Sequence, residues 1–269
     1  MGKVISLVSL KGGVGKTTLS ASLAAELANH YGKKVLLIDG NYSAPNLGLH
    51  MDIISPGNTV HDVLSVSNMG LQGAVHEKYG VDTVPGNFMF EREYSPLKLR
   101  QKLTHARKSY DFIIIDSSPS LNEELMSAMF ASDSLFIVST PDYPSLSCSM
   151  KIARVARQRG RNVSGIIMNR VLDTKYQITL EEIQETLGIP VVAMINEEKK
   201  VARSLYERKP MPLHNKRGQF SREVRRLCAS LTGLKEKRSF FREFFGRFSK
   251  EEVNREVLRE NFYNSIFEN

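Results

Sequence analysis

The chain has 269 residues, of which 41% are hydrophobic and 25% charged, enough for one large α/β domain with an appendage and too apolar for disorder over most of its length. Its formal charge of +8 and pI near 9.4 fit either a general solubility trait or a polyanionic partner, nucleic acid or an anionic membrane surface. No apolar run reaches the roughly 18 residues of a membrane span, the N-terminal apolar stretch is too short for a signal peptide, and Cys148 and Cys228 form no disulfide or zinc pattern, so a reduced cytoplasmic protein is expected. The histidines His30, His50, His61, His76, His105 and His214 lack metal-ligand spacing and are expected at the surface or in loops.

The first predicted strand, Val4, Ile5, Leu7 and Val8, runs into Lys11-Gly12-Gly13-Val14-Gly15-Lys16-Thr17-Thr18, and a helical pattern follows at once. Glycines let the backbone turn its N–H groups inward, and a helix starting near Lys16 aims its positive dipole end at the same point, which suits phosphate. Lys16 can reach β- and γ-phosphates as a point charge, and the Thr17 hydroxyl is placed to ligate Mg²⁺. Leu10 stands where the strict G-x-x-x-x-G-K-[ST] pattern wants its first glycine. With Lys11 ahead of the glycines, the stretch resembles the deviant Walker A loop of the MinD/ParA family of dimerising ATPases. That resemblance implies ATP and Mg²⁺ as cofactors, a nucleotide cradle of Gly12, Gly13, Val14, Gly15, Lys16, Thr17 and Thr18, and a homodimer in which Lys11 crosses to the partner's phosphates.

Leu19, Leu23 and Leu27 mark a helix that ends over Asn29 to Gly32, and the buried strand Val35 to Ile38 then delivers Asp39 to the sheet's carboxyl edge. The family usually reads D-x-D here, the second aspartate positioning the attacking water, whereas this chain reads Asp39-Gly40-Asn41 and continues to the familiar Asn46-Leu47 pair. An amide can orient a water but cannot take its proton, so Asn41 either slows hydrolysis or is a tolerated variant. Thr59 to Val66 and Leu71 to Tyr79 carry helical patterns, and Val81 to Val84 reads as a strand. A helix opened by Pro96 carries Lys98, Arg100, Lys102, Arg107 and Lys108 on what reads as a solvated face.

Phe112 to Ile115 form the most apolar strand, ending in Asp116-Ser117-Ser118-Pro119. This resembles Walker B and implies Asp116 as an Mg²⁺-side ligand. Leu135 to Val138, Val163 to Met168 and Val191 to Met194 supply three more strands. The alternation predicts a doubly wound, mostly parallel sheet flanked by helices, the P-loop NTPase class, over residues 1–233. Asn169-Arg170 occupies the place where the family reads adenine, and Ile195-Asn196-Glu197-Glu198 resembles the next adenine-side loop with Asn196 in place of the usual proline.

Lys151, Arg154, Arg157, Arg159 and Arg161, and the basic residues between Lys199 and Arg226, are either solvated faces or, as in the ParA branch, a surface for DNA without sequence preference. Residues 234–269 change character: Phe240, Phe241, Phe244, Phe245 and Phe248 share one helical stripe, and Lys235 to Lys250 carry a net charge of +4. This resembles a MinD membrane-targeting helix, although the stripe would equally pack on the domain or a partner tail, and a further amphipathic stretch, Glu251 to Asn269, follows it. The resemblance implies an ATPase, slow and partner-stimulated, peripheral at the inner face of the membrane, which places division or surface machinery with an unidentified activator or cargo protein. ParA-like DNA partitioning and a poorly hydrolysing ATP-dependent scaffold are the alternatives; an iron–sulfur carrier on the same fold is disfavoured by the lack of a C-x-x-C pair.

Overall fold

A computed structural model describes residues 1–65, 68–172 and 177–234, so the phenylalanine stripe from Phe240 to Phe248 lies outside the described residues. Apolar runs make the strands, and leucine–alanine spacing makes the helices between them. β1 (Lys3–Val8) leads through the glycine loop to α1 (Lys16–Asn29), and β2 (Val35–Gly40) follows. Two short helices, α2 (Leu47–His50) and α3 (Val60–Leu64), precede β3 (His76–Lys78) and β4 (Val81–Val84). The alternation continues with α4 (Leu99–Ser109), β5 (Phe112–Ser117), α5 (Glu123–Ala131), β6 (Ser134–Ser139) and α6 (Tyr143–Gln158). β7 (Val163–Val171), α7 (Leu180–Leu187) and β8 (Val191–Asn196) complete the sheet, and α8 (Lys200–Tyr206), α9 (Met211–His214) and α10 (Gln219–Leu231) close the described chain.

The eight strands form one sheet in the order β3-β4-β2-β5-β1-β6-β7-β8, parallel except for the β3–β4 pair. Helices cover both faces, which is why the inner strands are buried at nearly every position rather than at alternate ones. β5 shows the division: Ile114 joins the core under α1 and α10 with Leu7, Leu23, Phe136 and Leu227, while Ile113 and Ile115 point the other way, toward Leu103 of α4 and Ala128 of α5. A third cluster, with Ile137, Ile152, Ile166 and Ile183, fills the space below α6 and α7. The central strand β1 lies between β5 and β6, where the order of connection reverses, the place at which open α/β sheets hold ligands.

The doubly wound, mostly parallel sheet expected from the sequence is therefore present, with local corrections. Leu71 to Tyr79 is not a helix: a 3₁₀ turn, Leu71–Ala74, gives way to β3, which turns back into β4. Tyr79 and Gly80 both have positive φ (56° and 72°), a two-residue hairpin turn that matches strand twist. His61 is buried rather than at the surface, donating to the Tyr42 carbonyl through Nε2 (3.0 Å) and accepting the Asn87 N–H at Nδ1 (3.0 Å). The basic face of α4 is only partly solvated, since Lys102 bonds the Met69 carbonyl (2.8 Å) and Arg107 pairs with Asp133 (2.9 Å). The stretch from Lys199 to Arg226 spans three helices, and its Arg225 is tied to the buried Glu26 of α1 (2.6 Å).

Phe136 is the largest side chain fully buried in the sheet. Phe136→Ala is expected to lower stability by about 3–5 kcal/mol through lost burial and the cavity left behind, read from urea denaturation midpoints.

Candidate nucleotide-binding site

Three strand ends converge at the carboxyl edge. Leu7 of β1 and Asp39 of β2 both register with Asp116 of β5, so the two aspartates sit side by side with the end of the first strand. Strand spacing here is tight: a Cβ on Gly40 would stand 2.9 Å from the Asp116 carbonyl oxygen. From β1 the chain turns through Lys11 to Gly15, with Gly13 and Gly15 at φ 77° and 89°, and α1 begins at Lys16. That helix has no side-chain cap and no acid in its first turn, leaving its N–H groups to an outside acceptor. A Cβ at Gly12 or Gly13 would enter open space, room that a phosphate chain needs, whereas one at Gly15 would collide with the Asn169 amide.

Lys16 is buried beside Asp116; burial pulls its pKa down while the aspartate opposes the shift. Burial raises the Asp116 pKa, against hydrogen bonds from Thr17 and Ser20 and the Lys16 charge, with Ser20 Oγ donating to Oδ1 at 3.0 Å. Asp39 is fully buried, and burial together with the Asp116 charge pushes its pKa up to about 8, although it accepts the N–H groups of Asn41 and Leu47 (3.1 Å each). Two adjacent buried carboxylates with raised pKa values beside an exposed-mouthed loop form a donor set suited to a hard divalent cation. Among the described residues no cluster of three or more His, Cys, Asp or Glu could hold a metal. A hard cation such as Mg²⁺ takes one or two protein ligands and the rest from phosphate and water.

The loop after β2 is held at several points. Asn41 Nδ2 donates to the Ala44 carbonyl (2.6 Å), and Ser43 donates through its N–H and its Oγ to the Glu124 carboxylate (2.8 and 3.2 Å). His50, at the end of α2, faces Thr18 at 3.5 Å. On the far rim, Asn169 Nδ2 donates to the Val14 carbonyl (2.8 Å), and Arg170 donates to that of Gly13 (3.2 Å) while forking onto Glu197 (3.0 and 3.2 Å). Arg170 has φ 56°, a strained conformation that these bonds hold in place. Glu198 turns away to Asn215 (2.8 Å) and the Phe220 N–H (3.1 Å), whereas Glu197 of the same loop is tied to Arg170.

Lys11 extends from the loop to Asp142 Oδ1 and Ser145 Oγ of its own chain, 2.9 Å each. Every residue expected around the loop, Lys11, Lys16, Thr17, Thr18, Asp39, Asn41, Asp116, Asn169 and Arg170, thus lies at one edge. Sequence reasoning missed Ser20, Glu124, His50 and the Asp142–Ser145 pair. Ser20 stands one helical turn after Lys16, and Asp142, like Asp39 and Asp116, follows a buried strand, so both left a readable trace. Glu124 and His50 left none, because only folding brings them to the loop.

Strand, glycine turn and helix over a strand-terminal aspartate define a P-loop nucleotide-binding domain. A family model described as an AAA domain matches residues 2–162. An uncharacterised ATP-binding protein of Methanocaldococcus jannaschii is 30% identical over 261 residues, covering 92% of this chain and 98% of that one. The MinD septum site-determining protein of Pyrococcus horikoshii, solved with Mg-ADP, superimposes with a TM-score of 0.81 at 30% identity over 88% of this chain and all of that one. The cell-division ATPase MinD of Pyrococcus furiosus gives 0.80 at 29% identity, covering 85% and 97%. The chain belongs to the MinD/ParA family of P-loop ATPases.

Although burial alone would raise it, Asp142 is held down at about 2 by hydrogen bonds from Thr140, Lys11 and Ser145. A carboxylate with a depressed folded pKa adds stability above its ordinary value near 3.8 and loses it as pH falls toward 2. Asp142→Asn is therefore expected to be less stable than the parent at neutral pH and to converge with it near pH 2, read from urea midpoints across that range.

Proposed function

We propose that this chain is a MinD-like switch: it binds ATP·Mg²⁺, dimerises face to face around the nucleotide, and uses slow hydrolysis to control attachment of its C-terminal tail to an anionic membrane. The observation that carries the reading is Lys16, buried beside Asp116 beneath a glycine loop whose Gly12 and Gly13 face open space. Under this reading the N–H groups of Gly12 to Gly15 receive phosphate oxygens, Val14 and Thr18 complete the cradle, and Lys16 neutralises the terminal phosphates. Thr17 and Asp116 hold Mg²⁺, Asp39 orders the loop and water around it, and Asn169 with Arg170 faces adenine. Bound ATP·Mg²⁺ supplies the phosphoryl group and the cation that offsets its charge. Lys11, half exposed at the rim, leaves Asp142 to reach the partner's phosphates. The Mg-ADP complex of the P. horikoshii relative supports the nucleotide and the ion.

Residues 1–233 form the ATPase unit and residues 234–269 the tail. Among the described residues no helix is long and apolar enough to cross a membrane, so attachment falls to the tail's Phe240, Phe241, Phe244, Phe245 and Phe248 with the basic residues around them. Each basic residue near an anionic surface contributes about 1 kcal/mol, which makes one tail marginal and two joined by dimerisation effective. Such a protein sits at the inner face of the membrane and positions division or surface machinery through an activator or cargo protein. The exposed Lys151, Arg154, Arg157 and Arg159 on and just after α6, with no acid among them, favour DNA as the second reading.

Co-sedimentation with anionic liposomes is expected under ATP and not under ADP, and to vanish when the chain is cut before Ser239. A pellet indifferent to nucleotide and truncation overturns the membrane reading, and binding to a DNA fragment under ATP then takes its place. Asn41 can orient a water but cannot take up its proton, so Asn41→Asp is expected to raise kcat about tenfold; equal, brisk rates in both proteins would sink the idea that Asn41 slows the reaction.

A further inference from the structure

We propose that Glu124 is a positioning residue for hydrolysis, holding the loop after β2 against the segment that follows Asp116. The inference rests on the ATPase reading above and adds a residue to it. The loop from Asn41 to Leu47 is closed from within: the Asp39 carboxylate accepts the N–H groups at both its ends, and Asn41 Nδ2 bonds the Ala44 carbonyl. Those bonds fix the loop's shape without fixing where it stands relative to β5. Glu124 does the latter. Its two oxygens take the Ser43 N–H at 2.8 Å and the Ser43 Oγ at 3.2 Å.

The clamp is built rather than incidental. Glu124 is buried although Ser43 is exposed, so the loop lies across the carboxylate. It occupies the first turn of α5, whose start is fixed by Asn122 accepting the Leu125 N–H at 3.1 Å, and a carboxylate there is favoured by the helix dipole. Tyr42, Tyr94 and His61 lie within range of its charge. Removing the carboxylate takes away the acceptor of the part-buried Ser43 N–H and lets the loop shift.

Such a tie matters here because of what the loop carries. Asn41 lies two residues before Ser43, and an amide that orients water by a neutral oxygen depends on position more than a charged carboxylate does. One short peptide, residues 117–123, joins Asp116 to Glu124, so a displacement on the metal side reaches Asn41 through Ser43.

The test is steady-state ATP hydrolysis by the full chain with Mg²⁺, alongside Mg-ADP affinity and thermal melting. Glu124→Ala is expected to lower kcat about tenfold while KM for ATP and the ADP affinity stay within about threefold, the signature of a lost transition-state contact. Glu124→Gln, which still accepts the Ser43 N–H, restores most of the turnover, and Ser43→Ala lowers kcat about threefold. Glu124→Ala/Ser43→Ala together fall no lower than Glu124→Ala alone, since the Oγ bond lost in Ser43→Ala is one of the two that Glu124→Ala already removes. Wild-type kcat in Glu124→Ala, a parallel loss of nucleotide affinity, or a Gln variant as slow as the Ala variant overturns the proposal. Should Glu124→Ala fail to fold, the exposed Ser43 decides: wild-type turnover in Ser43→Ala overturns it. Absence of turnover in the wild-type chain itself overturns the ATPase reading and this role with it, whereas turnover matched by the variants overturns the role alone.

Discussion

A lysine ammonium held out of water between a glycine loop and two carboxylates is the constraint on which the rest of this molecule depends. Burial lowers the Lys16 pKa against the opposing pull of Asp116, while burial and the Asp116 charge push that of Asp39 up to about 8. Burial thus costs groups of both signs at this edge part of their solvation. A polyanion with a divalent cation relieves both deficits at once, because the anion faces Lys16 and the helix N-terminus while the cation faces the aspartates.

Holding such a cluster together requires a stiff frame. Parallel pairing of β1, β2 and β5 sets Asp39 opposite Asp116, and the glycine at position 40 lets the strands approach there. Both faces of the sheet are covered, and α1 is braced from behind by α10 through the buried Glu26–Arg225 pair and by Cys228 and Leu227 packed against its leucines. Loops then supply the adjustable parts, each moored to the frame by a few directional bonds.

What could be read in advance follows from how local each signal is. The glycine loop, Asp39 and Asp116 are contiguous patterns at the ends of apolar runs, and their chemistry is stated by a handful of adjacent residues. Strand count fell one short because β3 pairs only by backbone at the sheet margin, its three side chains largely facing solvent, so no hydrophobic alternation announces it. Tyr79-Gly80 was the trace that a hairpin had been there. His61 illustrates the opposite failure: a polar residue is placed at the surface by default, yet two backbone groups, 19 and 26 residues away in sequence, satisfy both its nitrogens and admit it to the core. Ser43 and Glu124 are 81 positions apart, and only the fold makes them neighbours.

Asn169 and Arg170 bring one more property. They do not merely stand near the glycine loop; their side chains grip its carbonyls at Val14 and Gly13, and Arg170 accepts a strained backbone to do so. Under the proposed reading, in which Asn169 and Arg170 face the base, base and phosphate are read by a single mechanical unit. A nucleobase that nudges the end of β7 must also tilt the cradle, so selectivity among nucleotides and grip on their phosphates cannot be tuned separately. Evolution of a different base preference in this chain would have to rebuild the loop's mooring at the same time.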